Sequence, residues 1–187
     1  MKTRIYLAIT SLVLASLACS IFIGGPAYPE QSIPYSNDEA LNFREQLEQA
    51  LLTGAETGIV SMQITESQLT AYMANRMSQQ ASPPFTDPQI FLRNGQMQMY
   101  GKITRGWFTA NMLIVMNVSV DETTGQPKIE IASADFGPLP APEGINSAMT
   151  AIISEAFTGT LGPAAVGFRL ESIEIADGIM TMTGRIR

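Results

Sequence analysis

Apolar and polar positions alternate without a Gly or Pro from Trp107 to Val120, WFTANMLIVMNVSV. With a side-chain period of two, Phe108, Ala110, Met112, Ile114, Met116, Val118 and Val120 share one face of a strand. Trp107, Thr109, Asn111, Leu113, Val115, Asn117 and Ser119 share the other, which Asn111, Asn117 and Ser119 mark as the solvent side. At about 3.3 Å per residue such a strand spans roughly 46 Å, far beyond the usual 5–6 residues. Its apolar face requires an equally long cover.

The same reading extends along the rest of the chain. Asn37 to about Thr53 has a helical stripe of Ala40, Phe43, Leu47, Ala50 and Leu51, with Ser36 or Asn37 as N-cap and Gly54 as the expected stop. Gly58 to Ile64 alternates as a short strand. Thr65-Glu66-Ser67-Gln68 matches a capping box, and the helix it opens carries Leu69, Tyr72, Met73 and Met77 on one face before Pro83-Pro84. Gln89 to Arg93 and Gln96 to Thr104 flank Asn94-Gly95, a strong hairpin signal. After the long strand and the polar turn DETTGQP, Lys128 to Phe136 runs back with Ile129 and Ile131 expected inward.

The corner GPLPAP, Gly137 to Pro142, cannot continue a ladder. A sparsely charged amphipathic helix is expected from Glu143 or Gly144 to about Leu161, with Ile145, Met149, Ile152, Ala156 and Phe157 inward. Phe168–Ile175 and Ile179–Ile186 then form a closing hairpin around Asp177-Gly178. Runs of strands separated by single helices, without regular βαβ alternation, predict an α+β domain with helices on one face of an antiparallel sheet.

The amino terminus changes the picture. Lys2 and Arg4 precede an apolar run, Ile5 to Leu17, too short to span a bilayer comfortably, as in an export signal. The sequence Leu17-Ala18-Cys19-Ser20 follows and is similar to a bacterial lipobox, which implies cleavage before Cys19 and lipid modification of that residue. An ordinary signal with an incidental Cys, or an uncleaved anchor, is the alternative. Residues 1–18 are thus read as a signal peptide, 19–36 as a lipidated Cys with a Gly- and Pro-containing flexible tether, and 37–187 as one domain. The location that follows is the outer face of a bacterial cytoplasmic membrane or a periplasm-facing membrane.

The chain of 187 residues has net charge -6; removing Lys2 and Arg4 from its 11 basic residues leaves 9 against 17 acidic ones, net -8. That charge excludes nucleic acid as a partner and disfavours anionic head groups. Histidine is absent and the single Cys is assigned to the anchor, which removes His-dependent nucleophile activation, the commonest general base and the commonest zinc ligand. No phosphate loop, nucleophile elbow or calcium loop is present. The expectation is a binding protein without cofactor, metal or catalytic residue; an enzyme using carboxylates alone would need two acids converging in a pocket.

Methionine is abundant, with 11 in the chain, and most lie on inward faces. Such a lining suits either an adaptable acyl-chain groove or an ordinary core. Trp107 and Phe108 similarly admit a groove mouth, a membrane interface or the edge of the core.

The succession ITESQLTAYMANRM (64–77), DPQIFLRNGQMQMYGKI (87–103), the long strand, DFGPLPAP (135–142), a helix and IEIADGIMTMTGRI (173–186) resembles LmeA-type phospholipid-binding and YpmS-type envelope proteins, both related to the tubular lipid-binding (TULIP) fold. The resemblance implies a long curved antiparallel sheet packed around amphipathic helices, with an apolar groove for a phospholipid or other acyl-chain ligand. It carries over no head-group-binding residue. On the inward faces the groove would be lined by Met97, Met99, Phe108, Met112, Ile114, Met116, Val118, Met149, Ile152, Phe157, Met180 and Met182. The alternative is a structural or assembly lipoprotein with a filled core that binds another envelope protein.

Overall fold

The fourteen-residue alternation becomes strand β5, Phe108–Asp121. In the computed structural model of the chain, residues 20–141, 145 and 168–186 are described. Strands β3 (Thr86–Arg93), β4 (Gln96–Arg105), β5 and β6 (Gln126–Asp135) form the expected antiparallel meander. Asn94 and Gly95 both take positive φ, 55° and 74°, as a tight hairpin matched to strand twist requires. On the far side of β5 two segments share one edge in tandem. Strand β1, Ile21–Phe22, runs parallel beside Phe108 and Thr109, and β6 covers Leu113 to Asp121.

The closing hairpin joins a different sheet. Strands β7 (Phe168–Ala176) and β8 (Ile179–Ile186) turn at Asp177-Gly178, and β8 pairs with β2, Ile59–Thr65. Strand β7 crosses one end of the large sheet. The Leu170 N–H donates to Gly125 O in the β5–β6 turn (3.0 Å), and the Gly178 N–H to Leu92 O at the end of β3 (3.3 Å). The two sheets together make a curled, antiparallel-rich half-barrel in an α+β protein. Its core lies where the even face of β5 meets Ile64, Leu170, Met180 and Met182 of the smaller sheet.

Helix α1, Asn37–Thr57, starts at Ser36, whose side chain accepts from the Glu39 N–H. It does not stop at Gly54. That glycine lies against β2, where a Cβ would run into Val60 Cγ2, so its smallness serves close helix-to-strand packing. Gly58, at φ 78°, is the left-handed cap, four residues beyond the expected stop.

Helix α2, Glu66–Ser78, opens with the expected capping box: the Gln68 N–H donates to Thr65 Oγ1 (3.2 Å), and the Thr65 N–H to Gln68 Oε1 (2.9 Å). Rather than covering a sheet face, α2 lies along the open edge of β3. Two residues of strand advance about 6.6 Å and four of helix about 6.0 Å, so side chains at i and i+4 can meet alternate strand N–H groups. Thr70 Oγ1 accepts from Ile90 N–H (3.0 Å) and Glu66 Oε1 from Leu92 N–H (2.7 Å). The exposed edge is thereby closed.

Three further expectations change. Ile131 is exposed because β6 is the outermost strand there, while Ile129 packs against the core. Asn111 is buried, not solvent-facing: its N–H donates to Gly24 O (2.9 Å) and its Nδ2 to Pro26 O (3.1 Å). Residues 20–36, read as a free tether, are irregular but docked along the sheet. The helix expected from Gly144 to Leu161 falls outside the described residues except for Ile145, which is buried in the core.

Candidate functional site

The inward wall is assembled by strand register. Met97 pairs with Met116, Met99 with Ile114, Gly101 with Met112 and Ile103 with Ala110 across β4 and β5. Paired residues of neighbouring strands share a face, so these eight form two adjoining rows. A Cβ on Gly101 would come within 2.9 Å of Phe85 Cδ2 and 3.3 Å of Met112 Cε, so the glycine makes room for both side chains. From the smaller sheet Met180 and Met182 join the same buried cluster, with Ile64 and Leu170.

Of the expected groove residues, Met97, Met99, Met112, Ile114, Met116, Val118, Met180 and Met182 are thus brought together, each with at most 9% of its surface exposed. Phe108 is not among them. It lies on the same face by register but at the strand's first position, beyond the cover, and is 44% exposed. Met149, Ile152 and Phe157 lie outside the described residues, as does the proposed lipidation residue, Cys19.

An open cleft of about 1050 Å³ lies elsewhere, between α1 and β2 with the start of α2. Glu39, Glu45, Gln49 and Thr53 face Ser61 and Gln63 across it, and Gln68 Nε2 donates to Gln46 Oε1 (2.9 Å) within its wall. Amides, hydroxyls and carboxylates share the lining about equally with apolar groups, among them Ala50, Ile59 and Met62, so the cleft suits an amphipathic polypeptide segment more than bare acyl chains. Periodicity gave no signal for it, because both elements contribute their more polar sides.

Where the two sheets and α2 meet, Glu66 is buried and serves three partners. Besides the Leu92 N–H, its carboxylate takes both terminal nitrogens of Arg93, Nη1 to Oε1 and Nη2 to Oε2 (3.1 Å for the latter). Its own N–H donates to Gly178 O at the β7–β8 turn (3.3 Å). Gly178 passes so close that its missing Cβ would lie 3.3 Å from the carboxylate. The capping-box reading accounted for Thr65 and Gln68 and passed over the acid between them. Among the described residues no three or more His, Cys, Asp or Glu side chains converge as a metal site would require.

The docked amino-terminal segment supplies the remaining surface. Ile21 N–H donates to Trp107 O (2.6 Å) and Ile23 N–H to Thr109 O (2.9 Å), along the edge of β5. The chain then turns at Gly25, whose φ of 117° and whose contact with the Asn111 backbone both exclude a side chain. It crosses to the outer face, where Tyr28 meets Tyr100 edge to face (6.0 Å) and donates to Asp87 O (2.6 Å). Ile33 N–H reaches Gln89 Oε1 (2.5 Å), and Pro34 O accepts from Ser67 Oγ (2.8 Å). Burial, and secondly the Asp87 carboxylate, push the Tyr28 hydroxyl well above the usual phenol range.

No protein-family profile matches the chain, and a comparison with curated proteins finds no match.

Proposed function

We propose that this chain is a lipid-anchored, TULIP-like protein of the bacterial cell envelope that holds a phospholipid or other acyl-chain ligand, as carrier, chaperone or sensor. The observation that carries the reading is the methionine-rich wall along β4 and β5, faced by Met180 and Met182. Six unbranched, polarizable thioether side chains there can adjust to variable tail shapes at low cost. The signal-like amino terminus and the lipobox-like Leu17-Ala18-Cys19-Ser20 support a place at a membrane, where such ligands are found. Its role is binding rather than catalysis, since the chain has no histidine and its only thiol is assigned to the anchor.

Native mass spectrometry tests this. The chain from Ser20 onward, purified without detergent and mixed with an envelope lipid extract, is expected to retain one phospholipid. Ile114→Trp, which fills the middle of the wall, should abolish retention; a wild-type protein that stays empty overturns the reading.

A second reading is favoured by the near-complete burial of the same side chains. In it the interior is a filled core, and the α1–β2 cleft receives a segment of another envelope protein. Under that reading the lipid experiment fails, and Gln49→Arg with Ser61→Arg in the cleft abolishes partner capture.

A further inference from the structure

Four large apolar side chains crowd one end of the five-stranded sheet and stay in solvent. Trp107 is 55% exposed, Phe108 44%, Ile21 55% and Phe22 58%. Ile21 pairs with Phe108 and Phe22 with Thr109, so the apolar groups project on both faces of the sheet's end. Their combined exposed area is roughly 450 Å², the size of patch that on a soluble monomer usually has a function.

We propose that this end is a membrane-contact surface, with Trp107, Phe108, Ile21 and Phe22 entering the interfacial layer of a phospholipid bilayer. The inference rests on the reading of Cys19 as an acylated anchor, but it specifies how the domain stands on the membrane. Only Ser20 lies between Cys19 and Ile21, a span of at most about 7 Å. Backbone hydrogen bonds fix Ile21 and Ile23 to β5, so the acyl chains enter the bilayer beside the patch. No free linker holds the domain away.

Chemistry agrees with that occupant. Trp is the side chain best suited to the head-group boundary, with an apolar body and one N–H donor. The segments that carry and flank the patch, SIFIGG (20–25), TRGWFT (104–109) and GPLPA (137–141), contain no carboxylate in a chain with 17 of them, and Asp87 at the start of β3 is held by Lys102 (2.7 Å). Their one cation, Arg105, is exposed and donates to Ala141 O (3.4 Å), within reach of lipid phosphates around the patch. A water-soluble protein partner would not explain why the patch adjoins the acylation residue.

The chain's single Trp makes the test direct. Full-length acylated protein is reconstituted in phosphatidylcholine vesicles, with and without lipids brominated near the carbonyl. Trp107 emission should shift to the blue, fall at least twofold with brominated lipid and resist aqueous iodide. Phe22→Ser with Phe108→Ser should reverse all three while the protein remains on the vesicles and keeps its circular dichroism spectrum. Anchored protein whose Trp107 is open to iodide and indifferent to brominated lipid overturns the inference and leaves the anchor standing. Cys19→Ser tests the anchor separately: its release from membranes supports acylation. If Cys19→Ser stays fully bound, the acyl reading fails, and brominated-lipid quenching of Trp107 in that variant would then support the membrane contact without it.

Discussion

The two ends of the five-stranded sheet obey opposite rules. At the end crossed by β7, backbone groups of β3 and the β5–β6 turn are taken up by partners: Leu92 N–H by Glu66, Leu92 O by Gly178, Gly125 O by Leu170. At the β4–β5 end, Trp107 and its apolar neighbours face outward with nothing described over them. Burial at the first end secures the arrangement of the sheets; exposure at the second leaves surface for contact. The same strand, β5, supplies both.

Breaking the closed end should have the largest effect. Glu66→Ala removes an acceptor from the Leu92 N–H and the partner of Arg93, and should cost about 3 kcal/mol. Calorimetry should show this as a fall in Tm of about 6–12 °C. Glu66→Gln keeps one acceptor and should recover part of the loss. Met112→Ala, between the two ends, opens a cavity in the buried wall and should cost about 2–4 kcal/mol by denaturant titration.

A smaller effect is expected from detaching the amino-terminal segment. Gly25→Ala would force a Cβ into the Asn111 backbone at a φ that alanine resists, at about 1–3 kcal/mol. Hydrogen exchange should report it as faster exchange at Ile23 and Asn111 with Leu92 unchanged. Tyr28 adds a pH dependence. Its hydroxyl titrates higher when docked than the ordinary value of 10.0, so its contribution is fully present below pH 10. That contribution declines as pH rises above 10, where only the undocked phenol ionises, and Tyr28→Phe should remove the dependence. Least affected of all should be the open end: Trp107→Ala should change stability by no more than about 0.5 kcal/mol. A large loss there would mean that the patch is covered by the protein itself.

The sheet was legible where the signal is local. Alternation from Phe108 to Val120 needs only each residue's neighbours, and Asn94-Gly95 and Asp177-Gly178 carry their positive φ in their identities. The capping box at Thr65 is likewise a four-residue statement. Glu66 and Thr70 were not legible, because on a helix taken alone they resemble a solvated polar face. Their meaning comes from β3, some twenty residues later, whose Ile90 and Leu92 N–H groups match their spacing. Gly54 and Gly58 could exchange roles in sequence; only the approach of Val60 separates a packing glycine from a capping one. For residues 20–36, Gly and Pro content specified irregular backbone correctly but was silent on attachment, which depends on Asn111, Tyr100 and Gln89 far along the chain. Within the candidate wall, alternation found the buried rows and misplaced Phe108, since periodicity assigns a face but does not say where the cover ends.

The parallel run of residues 21–24 beside β5 has a mechanical consequence. A pull on Ser20 along the strand direction, away from the domain, loads the Ile21–Trp107, Ile23–Thr109 and Asn111–Gly24 hydrogen bonds together, in shear. No single bond can be peeled open before the next bears force. The load passes into the longest of the described strands and, through it, to the far end where β7 crosses. A domain held at its amino terminus would therefore be tethered through β5, and drag on the body of the molecule would reach the sheet before it reached the helices.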